Sequence, residues 1–400
     1  MTPETLRAWW WTRSGLDGSL HGKSAAEVLK RAGWMRSVGG AGPYLGLHAR
    51  SGLSRPEIDA ALAAIEIHEL PSARGCTYVL PAAEYALGLR AGQGTTDSGD
   101  LAAAKKYLGF TDAELERLCT GVLAALAQGS LDPIALKRAL GETVRSFGAE
   151  GKKRGQTTSL PIALGWLQAH GKIRRIPVNG RLDQQRYAYT LWDPSPLTGA
   201  SDALATRAQL ASRFLAWSGP ATLDQLQAFG GWSKRDTNAA VEPLGLLAVG
   251  EDRLLLPGDK AAFDAFVAPT APNPKFLSSL DNLLLARRDV GALIDAADAG
   301  QQLWTEKGLT AGGALSDLSN QAIVDRGRIV GVWDWDGVKG ELVWATFSPP
   351  TEAIRAEAAR MSTWIAENLG DVRTFSLDSP ESRVPRLVPI RALAAATRRG

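Results

Sequence analysis

Between Gly151 and Tyr187 the chain places Lys152, Lys153, Arg154, Lys172, Arg174, Arg175, Arg181 and Arg186 against one acid, Asp183. This segment carries +7 in a chain whose formal net charge is +3, so the remainder sums to −4. Cations held this close repel one another unless an anion screens them, and the polyanion with evenly spaced charge is a nucleic-acid backbone. The hydroxyls of Thr157 and Thr158 and the free amides of a following helix start add neutral donors for phosphate oxygens. A solvated basic face with no ligand is the plainer alternative.

Other residues suggest narrower chemistry. Asp334 and Asp336 alternate with Trp333 and Trp335, and on a strand that spacing sets both carboxylates on one face. Such a pair could act as acid and nucleophile in glycosidic cleavage, or it could line a solvated sheet face. Trp9, Trp10 and Trp11 are consecutive, at steps of about 100° on a helix, so at least one is expected to be partly exposed. Arg74 sits in a turn between two strand-like runs and is a candidate probe of a duplex groove. His21, His48, His68 and His170 lack metal-ligand spacing, Cys76 and Cys119 are far apart, and no glycine-rich phosphate loop occurs. No metal or cofactor is therefore expected.

These residues fall on elements with readable boundaries. Ser54 and Glu57 form a capping box ahead of the stripe Ile58, Leu62, Ile65; residues 66–70, 71–75 and 76–80 read as strand, turn and strand. Thr111 and Glu114 open a second helix, Asp132-Pro133 a third, and Ser159 caps a fourth that stops at Gly171. A hairpin around Asn179-Gly180 follows. Residues 222–231, a helix capped by Ser233 and Asp236, and strands at 246–249 and 253–256 repeat the arrangement.

Helices followed by a hairpin describe a winged helix-turn-helix, a duplex-binding unit. The fold class expected is thus α+β, mainly helical, with three tandem winged-helix modules and a C-terminal α/β portion. The divisions fall at 1–95, 96–195, 196–268 and 269–400, with a proline-rich linker at 268–276. The last part reads as a helix near 281–297, strands in 322–337 and 340–347, and a helix at 351–368. The exposed face of the helix after Ser159 offers few polar groups, so backbone contacts with weak sequence preference are expected. No apolar run reaches the roughly 18 residues of a membrane span. The expected protein is a cytoplasmic, nucleoid-associated monomer whose partner is double-stranded DNA.

Several segments in shared order resemble the winged-helix family of AlkZ- and YcaQ-like DNA glycosylases: GWMRSVGGAGPYLGLHAR (33–50) with the capped helix after it, SARGCTYVLPAAE (72–84), FLAWSGPATLDQLQAFGGWS (214–233), FLSSLDNLLLARRDV (276–290) and IVDRGRIVGVWDWD (323–336). The resemblance implies excision of alkylated bases or unhooking of crosslinks by hydrolysis of the glycosidic bond. It also implies a Gln-x-Gln or Gln-x-Asp pair ahead of Pro43-Tyr44. In this sequence those positions hold Arg36 and Val38, with Ser37 between. Catalysis would then need another water-activating group, for which Asp281 is a conjecture; capping the helix that starts at Asn282 is its structural alternative. Two further readings stand beside hydrolysis: a non-catalytic DNA-binding sensor or regulator, and an interaction scaffold.

Overall fold

The computed structural model describes residues 2–94, 99–184, 186–200 and 202–397. Its first helix, Pro3–Arg13, starts where Thr2 accepts from the Thr5 amide. All three tryptophans of this helix are buried, at 4, 1 and 0% exposure, contrary to the partial exposure expected. The reason is tertiary: the helix is enclosed on several sides. Trp9 and Trp10 donate to the carbonyls of Gly219 (2.8 Å) and Pro220 (3.1 Å). Trp9 also meets Phe263 and Phe266 edge to face, and its core continues into Leu283, Val324 and Val332.

The helix-and-hairpin arrangement appears at each expected place. The capping box of Ser54 and Glu57 starts Arg55–Ala63, which buries Ile58 and Leu62. Ile65 does not extend the stripe, because its φ of 58° has already turned the chain out of the helix. Strands Ile67–Pro71 and Thr77–Pro81 pair antiparallel, and the short strand Met35–Arg36 adds to the second of them through Met35↔Val79 and Arg36↔Tyr78. The residues ahead of Pro43-Tyr44 are thereby fixed to a sheet.

The second hairpin joins Ile173–Pro177 to Tyr187–Leu191, and the third joins Leu247–Val249 to Arg253–Leu255. Ser159 stands at the start of Leu160–Ala169 but does not cap it; its hydroxyl accepts from the Arg145 amide instead.

The C-terminal part is built on a four-stranded antiparallel sheet, ordered Glu341–Thr346, Arg328–Asp336, Gln321–Asp325, Pro274–Leu277. Part of the expected linker is therefore its edge strand. The helix expected near 281–297 is only Asn282–Leu285, because Arg288 adopts φ 48° and ends the helical path. A hairpin at Gln302–Thr305 and Gly308–Ala311 was not anticipated. Nor was the helix Pro380–Thr397, since Pro385 and Pro389 inside it argue against helix. The helix Glu352–Asn368 stands where expected.

The helix Pro380–Thr397 overturns the reading of Asp334 and Asp336 as either a reacting pair or a solvated face. The sheet face they share is covered. Asp334 is fully buried beside Arg386 (3.2 Å), and Asp336 pairs with Arg391 (2.7 Å). Burial outweighs the nearby guanidinium and pushes the Asp334 carboxyl up to about 6.

From the same helix a chain of polar contacts runs to the segment ahead of Pro43-Tyr44. Arg386 reaches both oxygens of Asp378 at 3.0 Å, and Arg383 forks onto Asp371 at 2.6 and 2.8 Å. Asp378 accepts from the Thr374 amide (2.7 Å), so residues 371–378 are held in place. This segment then clasps the loop at 38–41: Ala41 donates to the Arg373 carbonyl (2.7 Å), and Ser376 donates to the Val38 carbonyl (3.0 Å). Gly40 is required by that approach, since a Cβ there would lie 2.3 Å from the Thr374 carbonyl oxygen.

Gly40→Ala forces two backbone segments apart and should cost about 1–3 kcal/mol of stability, read as a lowered midpoint in thermal or denaturant unfolding. A variant as stable as the parent would show that the clasp is loose.

Candidate functional site

The three positions singled out ahead of Pro43-Tyr44 have three different environments. Ser37 is buried; its hydroxyl donates to Glu69 and its amide donates to the Thr77 carbonyl (3.0 Å). Val38 is buried less deeply, and its carbonyl is taken by Ser376. Arg36 is half-buried, and its guanidinium lies 5.6 Å from the Tyr78 ring centre. Of the three, Arg36 lines the cavity described below.

Glu69 escaped notice in the sequence, although a carboxylate in the middle of the strand Ile67–Pro71 was the available signal. Only 2% of its side chain is exposed, and its second oxygen faces Arg175 at 3.4 Å. Glu69 thus links the segment at 37 to the second hairpin, and it draws one of the supposed phosphate ligands inward.

The basic stretch divides into two sets. Arg175 is compensated by Glu69 and stacks on Tyr187, 4.3 Å from its ring centre. Arg174 is half-buried beside Tyr85 and His68. Arg181 is held by Asp183 (2.8 Å) and by the Leu369 carbonyl (3.2 Å). The adjacent Leu182 amide donates to the Tyr44 hydroxyl (3.0 Å), which in turn donates to Asp59. These three arginines cement the hairpin to the first sheet and the Pro-Tyr helix; they do not form an open cationic surface.

Lys152, Lys153, Arg154, Lys172 and Arg186 do face solvent, as does Thr157, while Thr158 is half-buried. Glu150 tempers two of them, meeting Arg154 at 3.1 Å and Lys153 at 3.5 Å. Lys152, Lys172 and Arg186 have no ion pair among the described residues.

Asp281 is committed elsewhere. Both its oxygens accept from Arg50 (2.7 and 2.9 Å), one also accepts from the Leu283 amide (2.9 Å), and its side chain is 1% exposed. It caps Asn282–Leu285 and offers no oxygen to a water molecule, so the water-activating role conjectured for it fails on access.

The cavity beside Arg36 has a volume of about 330 Å³. Its walls come from the strand at 35–36, the first hairpin, the helix Leu223–Gly230 and the segment from Ser279 to Arg288. Arg74 stands at the hairpin turn with φ 58°, donating to the Ala228 carbonyl (3.1 Å). Arg288 pairs with Asp317 (2.7 Å), the one carboxylate among the described residues lining the cavity. Trp34 is fixed by its donation to Glu84 (2.6 Å) and packs against Trp217, 5.4 Å between ring centres. Burial raises the Tyr78 phenol above its ordinary value, so it stays protonated. The cavity can therefore offer guanidinium charge, aromatic faces and a single carboxylate to one small occupant.

The profile of the family described as DNA glycosylase AlkZ-like matches residues 29–364. The chain belongs to that family. Its fold is similar to the solved structure of Streptomyces sahachiroi DNA glycosylase AlkZ, with a TM-score of 0.68 and 19% sequence identity over 94% of this chain and 98% of that one. Curated proteins include no match to it. In this AlkZ-like chain no described helix is long and apolar enough to cross a membrane, and no group of three His, Cys, Asp or Glu among the described residues could hold a metal ion.

His68 offers a check on how the second hairpin docks. It is buried, and neither ring nitrogen has a hydrogen-bond partner. Burial, and then Arg174 and Arg175, pull it down to about 3. Its ordinary value lies near 6.5, so the neutral ring contributes stability that is complete above that value and is lost as pH falls toward 3. Lowering pH from 7 to 4 should cost the parent more thermal stability than His68→Phe, on the order of a few kcal/mol. Parallel pH profiles would refute the docking geometry.

Proposed function

We propose that this chain is a duplex-DNA-binding protein of the repair type, organised as three winged-helix modules over 1–95, 96–195 and 196–268 and an α/β portion over 269–400. One observation carries the reading: Arg36, at a position that corresponds to the family's motif, opens onto a cavity of cationic and aromatic character. The exposed Lys152, Lys153, Arg154, Lys172, Arg186 and Thr157 are suited to backbone phosphates and read little sequence.

The reaction we assign is hydrolysis of the N-glycosidic bond of an alkylated or crosslinked base. An alkylated purine is already cationic, so it departs with the bonding electron pair and needs no strong acid. Water forms the new bond to the sugar carbon and gives up a proton. Asp317 is the carboxylate we assign to take it, since it lines the cavity and Arg288 engages only one of its oxygens. A second reading, damage recognition without chemistry, is favoured by Arg36. A guanidinium beside a developing oxocarbenium ion opposes the reaction.

Two measurements separate these readings. An oligonucleotide carrying N7-methylguanine, incubated with excess protein and then cleaved at abasic sites, should yield strand scission. Asp317→Asn should slow it at least about a hundredfold. Tight duplex binding with no scission would leave only the recognition reading.

Duplex affinity should fall steeply with salt. Charge removal at Lys152, Lys172 and Arg186 together should flatten the slope of log K against log salt by about 0.9 for each phosphate no longer neutralised. An unchanged slope would put the duplex on another surface.

A further inference from the structure

Arg36 lies beside the Tyr78 ring and engages the Tyr78 hydroxyl, its Nη1 is buried without a partner, and it makes no ion pair among the described residues. A guanidinium keeps its charge at any physiological pH and presents five donors in a plane. A guanidinium that lines a cavity with no carboxylate of its own can meet an acceptor that comes from outside the chain.

The other two arginines of the cavity are held in an unusual way. Four non-glycine residues among those described have positive φ, namely Ile65, Arg74, Arg288 and Arg326. Two of them, Arg74 and Arg288, line this cavity. The left-handed region disfavours a side chain, and residues kept there cluster at ligand clamps. Gly231 makes room for one of them: a Cβ there would lie 2.9 Å from Cγ of Arg74. Two of the strained positions thus stand on the wall of this one cavity.

We infer that the cavity receives a single nucleotide unit, its phosphate bound by Arg36 with Arg74 and Arg288 and its base packed on the aromatic wall of Trp34, Tyr78 and Phe229. Three guanidinium groups face one carboxylate, Asp317, so the field inside selects an anion. The planar fork of arginine matches two phosphate oxygens at once. A volume of about 330 Å³ is in the range of small-molecule sites, about 300–1,000 Å³, and is generous for a bare phosphate. Aromatic side chains accept any base through its π-face, so the wall adds affinity without a base preference. A nucleotide turned out of a duplex brings both parts together.

This assignment also gives Arg36 a use. At a position where the family resemblance implies a water-holding carboxamide, a cation works against a cationic sugar but with a phosphate. The inference rests on the DNA-binding reading only in taking the nucleotide from a duplex; the cavity can be tested alone.

Tryptophan fluorescence and calorimetry on the full chain should compare deoxyadenosine 5′-monophosphate, deoxyadenosine and inorganic phosphate. The monophosphate should bind, with affinity reduced at least tenfold by removing either the phosphate or the nucleoside. Arg36→Gln should weaken it at least tenfold. Arg74→Ala, at an exposed turn where misfolding is a small risk, should weaken it severalfold.

No binding of the monophosphate, equal binding of deoxyadenosine, equal binding of inorganic phosphate, or indifference to both substitutions would each overturn the inference. Failure of the monophosphate with salt-dependent duplex binding intact removes the nucleotide site alone. Absence of duplex binding by the unaltered chain removes the DNA reading and leaves the monophosphate result to judge the cavity.

Discussion

Arg50 and Asp281 form the contact on which the architecture turns. Their side chains are 0 and 1% exposed, they meet in a two-point fork, and two further arginine donors go to the carbonyls of Ser14 and Gly46. A buried pair of this kind is tolerable only when every polar atom is matched, and removing one partner strands the other. This one ties together three regions far apart in sequence: the turn after the tryptophan helix, the Pro-Tyr helix and the segment that begins the C-terminal sheet. That segment supplies one wall of the cavity, so its position is set by a bond that has no solvent-facing atom to loosen.

Much of the local structure was legible because it depends on local chemistry. The capping boxes at Ser54 and Thr111 start helices as their spacing requires, and the Asn-Gly pair sits between the two strands of a hairpin. The failures have equally definite causes. Proline-containing Pro380–Thr397 is a helix because it packs over Asp334 and Asp336 through its arginines, which propensity does not register. Pro274–Leu277 reads largely as linker but is drawn into a sheet by its partner Gln321–Asp325. Arg288 ends its helix through a backbone angle that no residue type announces.

The candidate site was half legible. Counting charges along the chain located the cations but could not show where their counter-ions lie. Glu69 and Glu150 neutralise members of the stretch, the first from about a hundred positions away. Charge crowding in sequence is thus a weaker statement than crowding in space. Arg36 and Arg74 were named in the sequence for different reasons, one as a departure from a motif and the other as a hairpin turn, and they share one cavity. Arg288 and Asp317 could not be reached from the sequence, since only the tertiary fold sets them opposite the first hairpin.

The clasp between residues 38–41 and 373–376 has a temporal meaning. During synthesis the early loop leaves the ribosome long before the segment that holds it exists, and domains generally fold as their residues emerge. The loop must therefore wait, held only by the first sheet, for more than three hundred further amino acids to be translated. The last contacts of the early loop form only once that late segment has been made.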